Sequence, residues 1–329
     1  MQAFSKEILD TLQIRKSRAQ KAHFRRRLST YADGLGYLHH EEAGMMGARN
    51  FVVGDPTTAR VIFTAHYDTC PVLPVPNFIT PQRMIFYLAY QFLLTAGIFA
   101  VIFALRSLAA LTFGWLGATF SWPPSLTELF SSLSHYGAFL FVFALLFFGP
   151  ANRHTVNDNT SGVITLVELM AALSPEQREG VAFIFFDLEE MGLFGSTGYV
   201  QKHKIAMKDK LLLNFDCVSD GDHILFAMKK GASPYADVLA ASYTPSEECG
   251  VEICKSGVFY PSDQAVFDLG VGVCALKYSK KLKTYYMDRI HTPRDTVMRE
   301  DNIRYLVSGS VCLCDNLLKN NPKQEETTV

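Results

Sequence analysis

Hydrophobic residues occur along the chain in short runs and in two much longer runs. Short apolar runs, such as residues 181–188 and 210–217, alternate with segments that suit helices, such as 161–173 and 302–318. Alternation of buried strands and helices is typical of α/β proteins. The pattern therefore predicts an α/β fold with a mainly parallel central sheet flanked by helices.

The two longer runs interrupt this alternation. Residues 84–105 contain no charged residue, and residues 129–148 end in a dense apolar stretch. About 20 apolar residues are enough to cross a bilayer as a helix. The interval between the runs contains Trp115 and Trp122, which suit a membrane interface. The favoured prediction is an inserted two-helix transmembrane hairpin, and a buried helix pair or a dimerisation arm stays open as the alternative.

These segments predict a division of the chain. Residues 1–83 hold an N-terminal helix and the first part of the sheet domain, residues 84–148 the membrane hairpin, residues 149–319 the rest of the sheet domain, and residues 320–329 a mobile tail. The basic residues within 1–30 predict an amphipathic helix with a solvated face, or alternatively a membrane-surface contact. The "HHEE" stretch that follows is predicted to be a surface loop.

Charge and cysteine content narrow the function. The chain has 31 basic and 32 acidic residues among 329, so its charge favours no nucleic-acid partner. Its seven cysteines lack the paired spacing of a structural zinc site, which predicts reduced thiols. The first ten residues have no apolar core, so we expect no cleavable signal peptide.

Five short motifs carry residues suited to chemistry. "AHYDT" places His66 and Asp68 two residues apart at a strand end, on one face of the strand. "NDNTSG" contains Asp158 before a helix and, taken alone, favours an ordinary helix N-cap. The other three motifs supply further acids and a histidine, which are Glu189 and Glu190 in "FFDLEEMGLFGS", Asp216 in "LLLNFDC" and His291 in "IHTPRDT".

Taken together, three predicted strands end in acids or histidine, and two loops add an aspartate and a histidine. Ligands in open α/β sheets bind at the carboxyl ends of the strands. Nitrogen and oxygen donors without thiolate are typical of hydrolytic zinc sites. The sequence therefore predicts a metal-dependent hydrolytic site.

In this order, the five motifs resemble those of the di-zinc aminopeptidases of metallopeptidase family 28. The resemblance covers about residues 45–80 and 152–318, and it implies the zinc aminopeptidase-like fold and two Zn²⁺ ions or other divalent metals. It implies metal ligation by His66, Asp158, Glu190, Asp216 and His291, with Asp158 bridging both ions. It also implies that Glu189 is the general base and that Asp68 orients His66.

The loop "YPSDQAVF" also resembles the family's loop near the substrate pocket, which implies substrate contacts by Ser262 and Asp263. The apolar insert between Asp68 and Asp158 departs from typical members, where a much shorter loop joins these motifs. It leaves every implied ligand in place and puts substrate access and location in question.

The resemblance implies an exopeptidase that hydrolyses N-terminal peptide bonds, an aminopeptidase or dipeptidase tethered to a lipid bilayer. A glutaminyl cyclase-like zinc transferase and a non-catalytic membrane scaffold of the same fold remain alternatives. Arg83 and Arg153 flank the hairpin, and the predicted intervening loop offers only Arg106. Cytoplasmic segments are enriched in basic residues, so we expect two spans with the catalytic domain in the cytoplasm.

Overall fold

The computed structural model describes residues 1–246 and 249–319, which form two compact units. One unit comprises residues 1–83 and the chain from residue 151 onward, and the other comprises Met84–Pro150. The predicted mobile tail, 320–329, lies outside the described residues.

The first unit alternates strands and helices along most of its length. Its strands are β1 His39–Ala43, β2 Arg49–Val53, β3 Val61–His66, β4 Val181–Phe186, β5 Leu211–Phe215, β6 His223–Met228, β7 Gly250–Cys254, β8 Gly270–Ser279 and β9 Thr284–Tyr286. Within the described residues of the two units, the α-helices are α1 Ala3–Thr11, α2 Arg18–Gly34, α3 Met84–Thr119, α4 Pro124–Phe148, α5 Gly162–Ala172, α6 Pro175–Arg178, α7 Phe194–Lys202, α8 Lys204–Met207, α9 Ala236–Ser242 and α10 Glu300–Lys319.

The strands form one mixed sheet in the order β1-β2-β4-β3-β5-β8-β6-β7, with β9 paired to β8. Strands β4, β3, β5 and β8 run parallel in its centre, whereas β1, β2 and β6 join through antiparallel pairs. The predicted α/β fold class is confirmed. The antiparallel pairs lie outside the parallel centre, and two of them, β1–β2 and β8–β9, are joined by short connections.

Both faces of the sheet are covered by apolar side chains. In β4, Phe183 and Phe185 belong to one core cluster, which also includes helices α2, α5 and α10, while Ile184 and Phe186 belong to a second cluster with α7. Strands buried on both faces are apolar at every position rather than alternating. This explains the uninterrupted apolar runs in the sequence.

The basic N-terminal segment is not one solvated helix. It forms α1 and α2, separated by residues 12–17, and several of its basic residues point inward. Arg15 is fully buried, and Lys21 and Arg25 are buried in the side of α2 that faces the sheet. Lys21 donates to Asp187 at 2.6 Å. The solvated-face prediction was therefore wrong for these three residues, because a carboxylate, a hydroxyl or carbonyl groups accept their hydrogen bonds.

The predicted surface loop at "HHEE" is also wrong. These residues form β1, which pairs antiparallel with β2 at the edge of the sheet. Glu42 is buried there and accepts hydrogen bonds from His203 at 2.8 Å and Lys202 at 2.9 Å. An edge strand tolerates polar residues because one side of it carries no neighbouring strand.

The second unit consists of α3 and α4. Helix α3 continues past Arg106 and Trp115 to Thr119, so the connection between the helices is much shorter than the predicted apolar loop. The turn contains Trp122 and Pro123, and proline stops a helix because it lacks an N–H donor. In the most apolar stretch of α3 only 6% of the residues are buried, and in the most apolar stretch of α4 none are buried. Both helices expose large apolar side chains along their length.

Candidate metal centre

The chemistry-bearing residues meet at the carboxyl end of the central parallel strands. His66 is the last residue of β3, Asp216 directly follows β5, and Glu189 and Glu190 follow β4 after a short turn. Because β4, β3 and β5 are adjacent and parallel, their carboxyl ends form one edge of the sheet. Strand order alone therefore brings four of these side chains together.

A first group of donor atoms surrounds the His66 ring. Its Nε2 atom lies 3.3 Å from Asp158 Oδ1 and 3.5 Å from Asp216 Oδ1. All three side chains are at least nine-tenths buried. One atom from each residue lies within 4.8 Å of the other two, a spacing that can hold a metal ion.

A second group surrounds the His291 ring. Its Nε2 atom lies 3.0 Å from Asp158 Oδ2 and 3.1 Å from Glu190 Oε2. The two oxygens of Asp158 therefore face different histidines, Oδ1 towards His66 and Oδ2 towards His291. A carboxylate in this position can bridge two cations.

Asp68 connects His66 to the glutamate pair. Its Oδ1 atom lies 3.5 Å from His66 Nδ1 and accepts a hydrogen bond from the Glu189 backbone N–H at 3.1 Å. Its Oδ2 atom accepts from the Glu190 N–H at 3.3 Å. Asp68 thus contacts the far side of the ring and fixes the backbone that carries both glutamates.

The electrostatics of the cluster favour positive charge between its carboxylates. Burial lowers the pKa of His66 and His291, but the surrounding carboxylates raise both well above the ordinary histidine value. Burial raises the pKa of Glu190, and its Oε1 atom has no hydrogen-bond partner. A divalent cation between the same atoms would supply this charge, so the residues fit metal ions in both groups.

Glu189 lies beside the two groups without belonging to either. Burial is the largest cause that raises the pKa of its carboxyl group well above the ordinary value, and the charge on His66 opposes the shift. A carboxylate with a raised pKa next to a metal centre is suited to accept a proton.

Ser262 and Asp263 are both fully buried. The Ser262 hydroxyl accepts a hydrogen bond from Asn214 Nδ2 at 2.9 Å, at the end of β5. Burial raises the pKa of Asp263 to about 7. Their burial gives them a supporting position behind the strand ends, and their contact with substrate stays a prediction.

The "NDNTSG" motif has a role that sequence reasoning missed. Asn159 Nδ2 donates to the Phe215 carbonyl at 2.9 Å, and its Oδ1 accepts from Gly162 and Cys217 N–H groups. Asp295 accepts the Asp158 N–H at 3.0 Å. Ser161, directly before α5, makes no side-chain cap, and Asn159 accepts from the first N–H of the helix. The motif therefore does more than the ordinary helix cap that it suggests when taken alone. The Asp295 in "HTPRDT" was the available signal for this contact.

Arg15 is a second residue that the sequence did not reveal. Its guanidinium donates to the Tyr67 carbonyl at 2.5 Å and to Thr160 Oγ1 at 3.1 Å, next to the segments that carry His66 and Asp158. Burial lowers its pKa to about 10, whereas the charges on Asp68 and Asp158 act in the opposite direction. Arg15 therefore lies behind the acidic cluster and fixes two of its loops.

Cys70 is a third such residue. Its sulfur lies within 4.8 Å of ligand atoms of Glu190 and His291. The expectation of a site without thiolate therefore omitted a cysteine that the sequence places two residues after Asp68.

Comparison with known proteins gives one family match and one matching curated relative. The model of peptidase family M28 matches residues 128–313. A probable lipoprotein aminopeptidase, LpqL of Mycobacterium tuberculosis, is 35% identical over 101 residues, which span 30% of this chain and 20% of that protein. The chain thus matches only a fifth of the length of that relative.

Solved structures share the fold at low sequence identity. The Legionella pneumophila LapA aminopeptidase has a TM-score of 0.55 at 13% identity, covering 95% of this chain and 71% of that chain. A Porphyromonas gingivalis glutaminyl cyclase and a Zn-dependent exopeptidase from Parabacteroides distasonis each have a TM-score of 0.56 at 13% identity. Each match covers 95% of this chain, with 98% of the cyclase and 96% of the exopeptidase.

Proposed function

The chain belongs to peptidase family M28, and on that premise we propose that it is a two-zinc exopeptidase that removes N-terminal residues from peptides. The observation that carries the proposal is the Asp158 carboxylate, whose two oxygens face His66 and His291 in separate donor groups. His66, Asp158 and Asp216 would hold one ion. Asp158, Glu190 and His291 would hold the other.

The residues around the ions divide the remaining work. Zn²⁺ bound in these groups supplies Lewis acidity, which lowers the pKa of a water molecule and polarises the peptide carbonyl. Glu189 accepts the proton of the attacking water and donates it to the leaving amine. Asp68 keeps the His66 ring oriented, and its contacts with the two backbone N–H groups keep Glu189 in reach. A buried site also strengthens each of these electrostatic contacts.

Two other reactions compete with peptide hydrolysis. Glutaminyl cyclases are among the structural neighbours, so a single-zinc cyclase-like transferase is the second candidate. Hydrolysis is favoured because the chain keeps donor residues for a second ion, with His291 Nε2 lying 3.0 Å from Asp158 and 3.1 Å from Glu190. A non-catalytic scaffold is less favoured because such a protein has no need to keep every ligand.

A panel of peptides tests the reaction. Free peptides, their N-acetylated forms and peptides that begin with glutamine are incubated with the purified protein, and its metal content is measured in parallel. The proposal predicts release of N-terminal residues from free peptides only. Efficient cleavage of internal bonds in acetylated peptides contradicts it, and formation of pyroglutamyl peptides without hydrolysis favours the cyclase.

We also propose that α3 and α4 anchor the enzyme in a membrane. At 1.5 Å per residue, the 36 residues of α3 extend about 54 Å and the 25 residues of α4 about 37 Å, against a hydrocarbon core of about 30 Å. Their apolar surfaces are exposed rather than buried, which disfavours the alternative of a buried core pair. The matched lipoprotein aminopeptidase also supports a membrane location.

The proposed topology has two spans and a cytoplasmic catalytic unit. Two spans return the chain to one side, as a site built from His66 and Asp158 requires. Arg83 and Arg153 flank the hairpin, and basic flanks favour the cytoplasm. Arg106 lies within α3 rather than in the predicted loop, about 33 Å along the helix from Met84. That distance suits a position at the opposite membrane surface, where an arginine head group remains hydrated.

A further inference from the structure

Cys70 lies beside the second group of metal-binding atoms. Its sulfur, one Glu190 oxygen and one His291 nitrogen are all within 4.8 Å of one another. Cys70 is only 2% exposed, so its thiol faces the interior rather than solvent. The cysteine thus lies where a ligand to the same ion would be required.

An unpartnered atom in the same place also indicates a missing cation. Glu190 Oε1 is buried and has no hydrogen-bond partner, and its side chain is only 8% exposed. An uncompensated buried carboxylate oxygen is costly. Glu190 uses its other oxygen to contact His291, so the free oxygen is available to a metal ion.

The backbone around Cys70 is fixed to the segments that carry the other ligands. The Cys70 carbonyl accepts a hydrogen bond from the Asn152 N–H at 3.2 Å, on the segment that leads to Asp158. The Leu73 N–H donates to the His291 carbonyl at 2.8 Å. These contacts tie the backbone near Cys70 to the backbone near Asp158 and at His291, which supports a preorganised site.

We propose that the Cys70 thiolate is a ligand of the ion bound by Glu190, His291 and Asp158. The inference rests on the proposed metal-dependent function of this site. Binding replaces the thiol proton, which passes to solvent, and forms a metal–sulfur bond.

The consequence is a functional difference between the two metal positions. With Cys70, four protein residues would hold the ion at this position, as in closed zinc sites, whereas three residues, His66, Asp158 and Asp216, would hold the other ion. The ion held by His66 would then be the one with room for a water molecule. Soft thiolate also favours zinc over harder divalent cations at the closed position.

Cobalt titration of the full-length, metal-free protein tests the assignment. A thiolate bound to Co²⁺ gives a charge-transfer absorption band in the near ultraviolet, whereas nitrogen and oxygen ligands do not. The wild-type protein is compared with Cys70→Ser and with Cys314→Ser, a control in α10 whose cysteine is also 2% exposed. Cys217→Ser tests the other thiol near the site, which lies 3.1 Å from Asp216.

The wild-type, Cys314→Ser and Cys217→Ser proteins should show a band that saturates with one of the two ions. Cys70→Ser should lose the band but still bind both ions. Its affinity for one of them should fall at least about tenfold, because the loss of a residue that only supports a metal ligand already lowers metal affinity by about this factor. Absence of the band in the wild type, or its loss only in Cys217→Ser, overturns the thiolate assignment. If two ions bind but no band appears, the thiolate assignment fails and the proposed two-zinc function stands. If only one ion binds and its band depends on Cys70, the thiolate assignment stands and the two-zinc function fails.

Discussion

Replacement of Glu189 by glutamine should abolish turnover without removing metal. Glutamine has the same shape as glutamate, and the hydrogen bond to Asp68 comes from the backbone N–H, which the substitution keeps. Glu189 belongs to neither donor group, so both ions should remain. The substitution also removes one negative charge from a crowded acidic cluster, so the folded state should lose no stability through repulsion.

The size of the effect follows from the loss of the proton acceptor alone. General acid–base catalysis contributes about 10²–10⁴-fold in rate. At 1.36 kcal/mol for each factor of ten, this corresponds to about 2.7–5.4 kcal/mol of transition-state stabilisation. We therefore expect kcat to fall by at least about 100-fold with unchanged zinc content.

The matched control is the same substitution one residue later. Glu190→Gln removes an anionic metal ligand, so its zinc content should fall towards one ion per chain. Peptide hydrolysis and elemental analysis are measured on both variants and the wild type. Turnover of Glu189→Gln within about tenfold of wild type, below the range for a general base, refutes the base assignment. Loss of zinc from that variant refutes the separation of roles.

Two further predictions concern support of the site and the membrane hairpin. Asn159→Ala leaves the Phe215 carbonyl and the Gly162 and Cys217 N–H groups without their hydrogen-bond partner. These buried unpaired groups should lower the free energy of unfolding by about 3 kcal/mol. Urea unfolding followed by far-ultraviolet circular dichroism measures the change. Because Asn159 supports the segment that carries Asp158, Asn159→Ala should also bind metal more weakly. Asn302→Ala, which loses donations to the 218–221 loop, should destabilise the protein without this effect, and equal metal loss in both variants contradicts a specific role for Asn159. The protein should stay in membranes after a carbonate wash, with its catalytic unit protected from protease on intact cells; release or external digestion contradicts the topology.

The sequence predicted the parts of the site that depend on strand ends. His66 and Asp216 directly end apolar runs, and parallel neighbours bring such residues together without knowledge of side-chain packing. Their order with the remaining motifs was specific enough to identify the family. The fold class followed from the same alternation of strands and helices.

The missed features depend on contacts between distant parts of the chain. Arg15 contacts Thr160 across 145 positions, and Lys21 contacts Asp187 across 166. A basic segment read by itself suggests solvation, because the buried carboxylates that compensate it are not visible locally. Likewise, β1 is polar because it lies at an edge, which only the sheet order reveals.

The extent of α3 shows a different limit of sequence reasoning. The uncharged stretch stops at Arg106, and this suggested the end of a membrane span. Helix formation depends on backbone geometry and propensity rather than on charge, so α3 continues until the turn before Pro123 and Pro124. Hydropathy thus located the apolar helix but not its end.

Metal stoichiometry tests the two-ion site most directly. The protein is depleted of metal, saturated with Zn²⁺, freed of excess by dialysis, and measured by elemental analysis alongside an Asp158→Ala variant. The two oxygens of Asp158 face the two donor groups, so two ions per chain are predicted for the wild type, with both positions weakened in the variant. Saturation of the wild type at a single ion would contradict the bridged two-metal site.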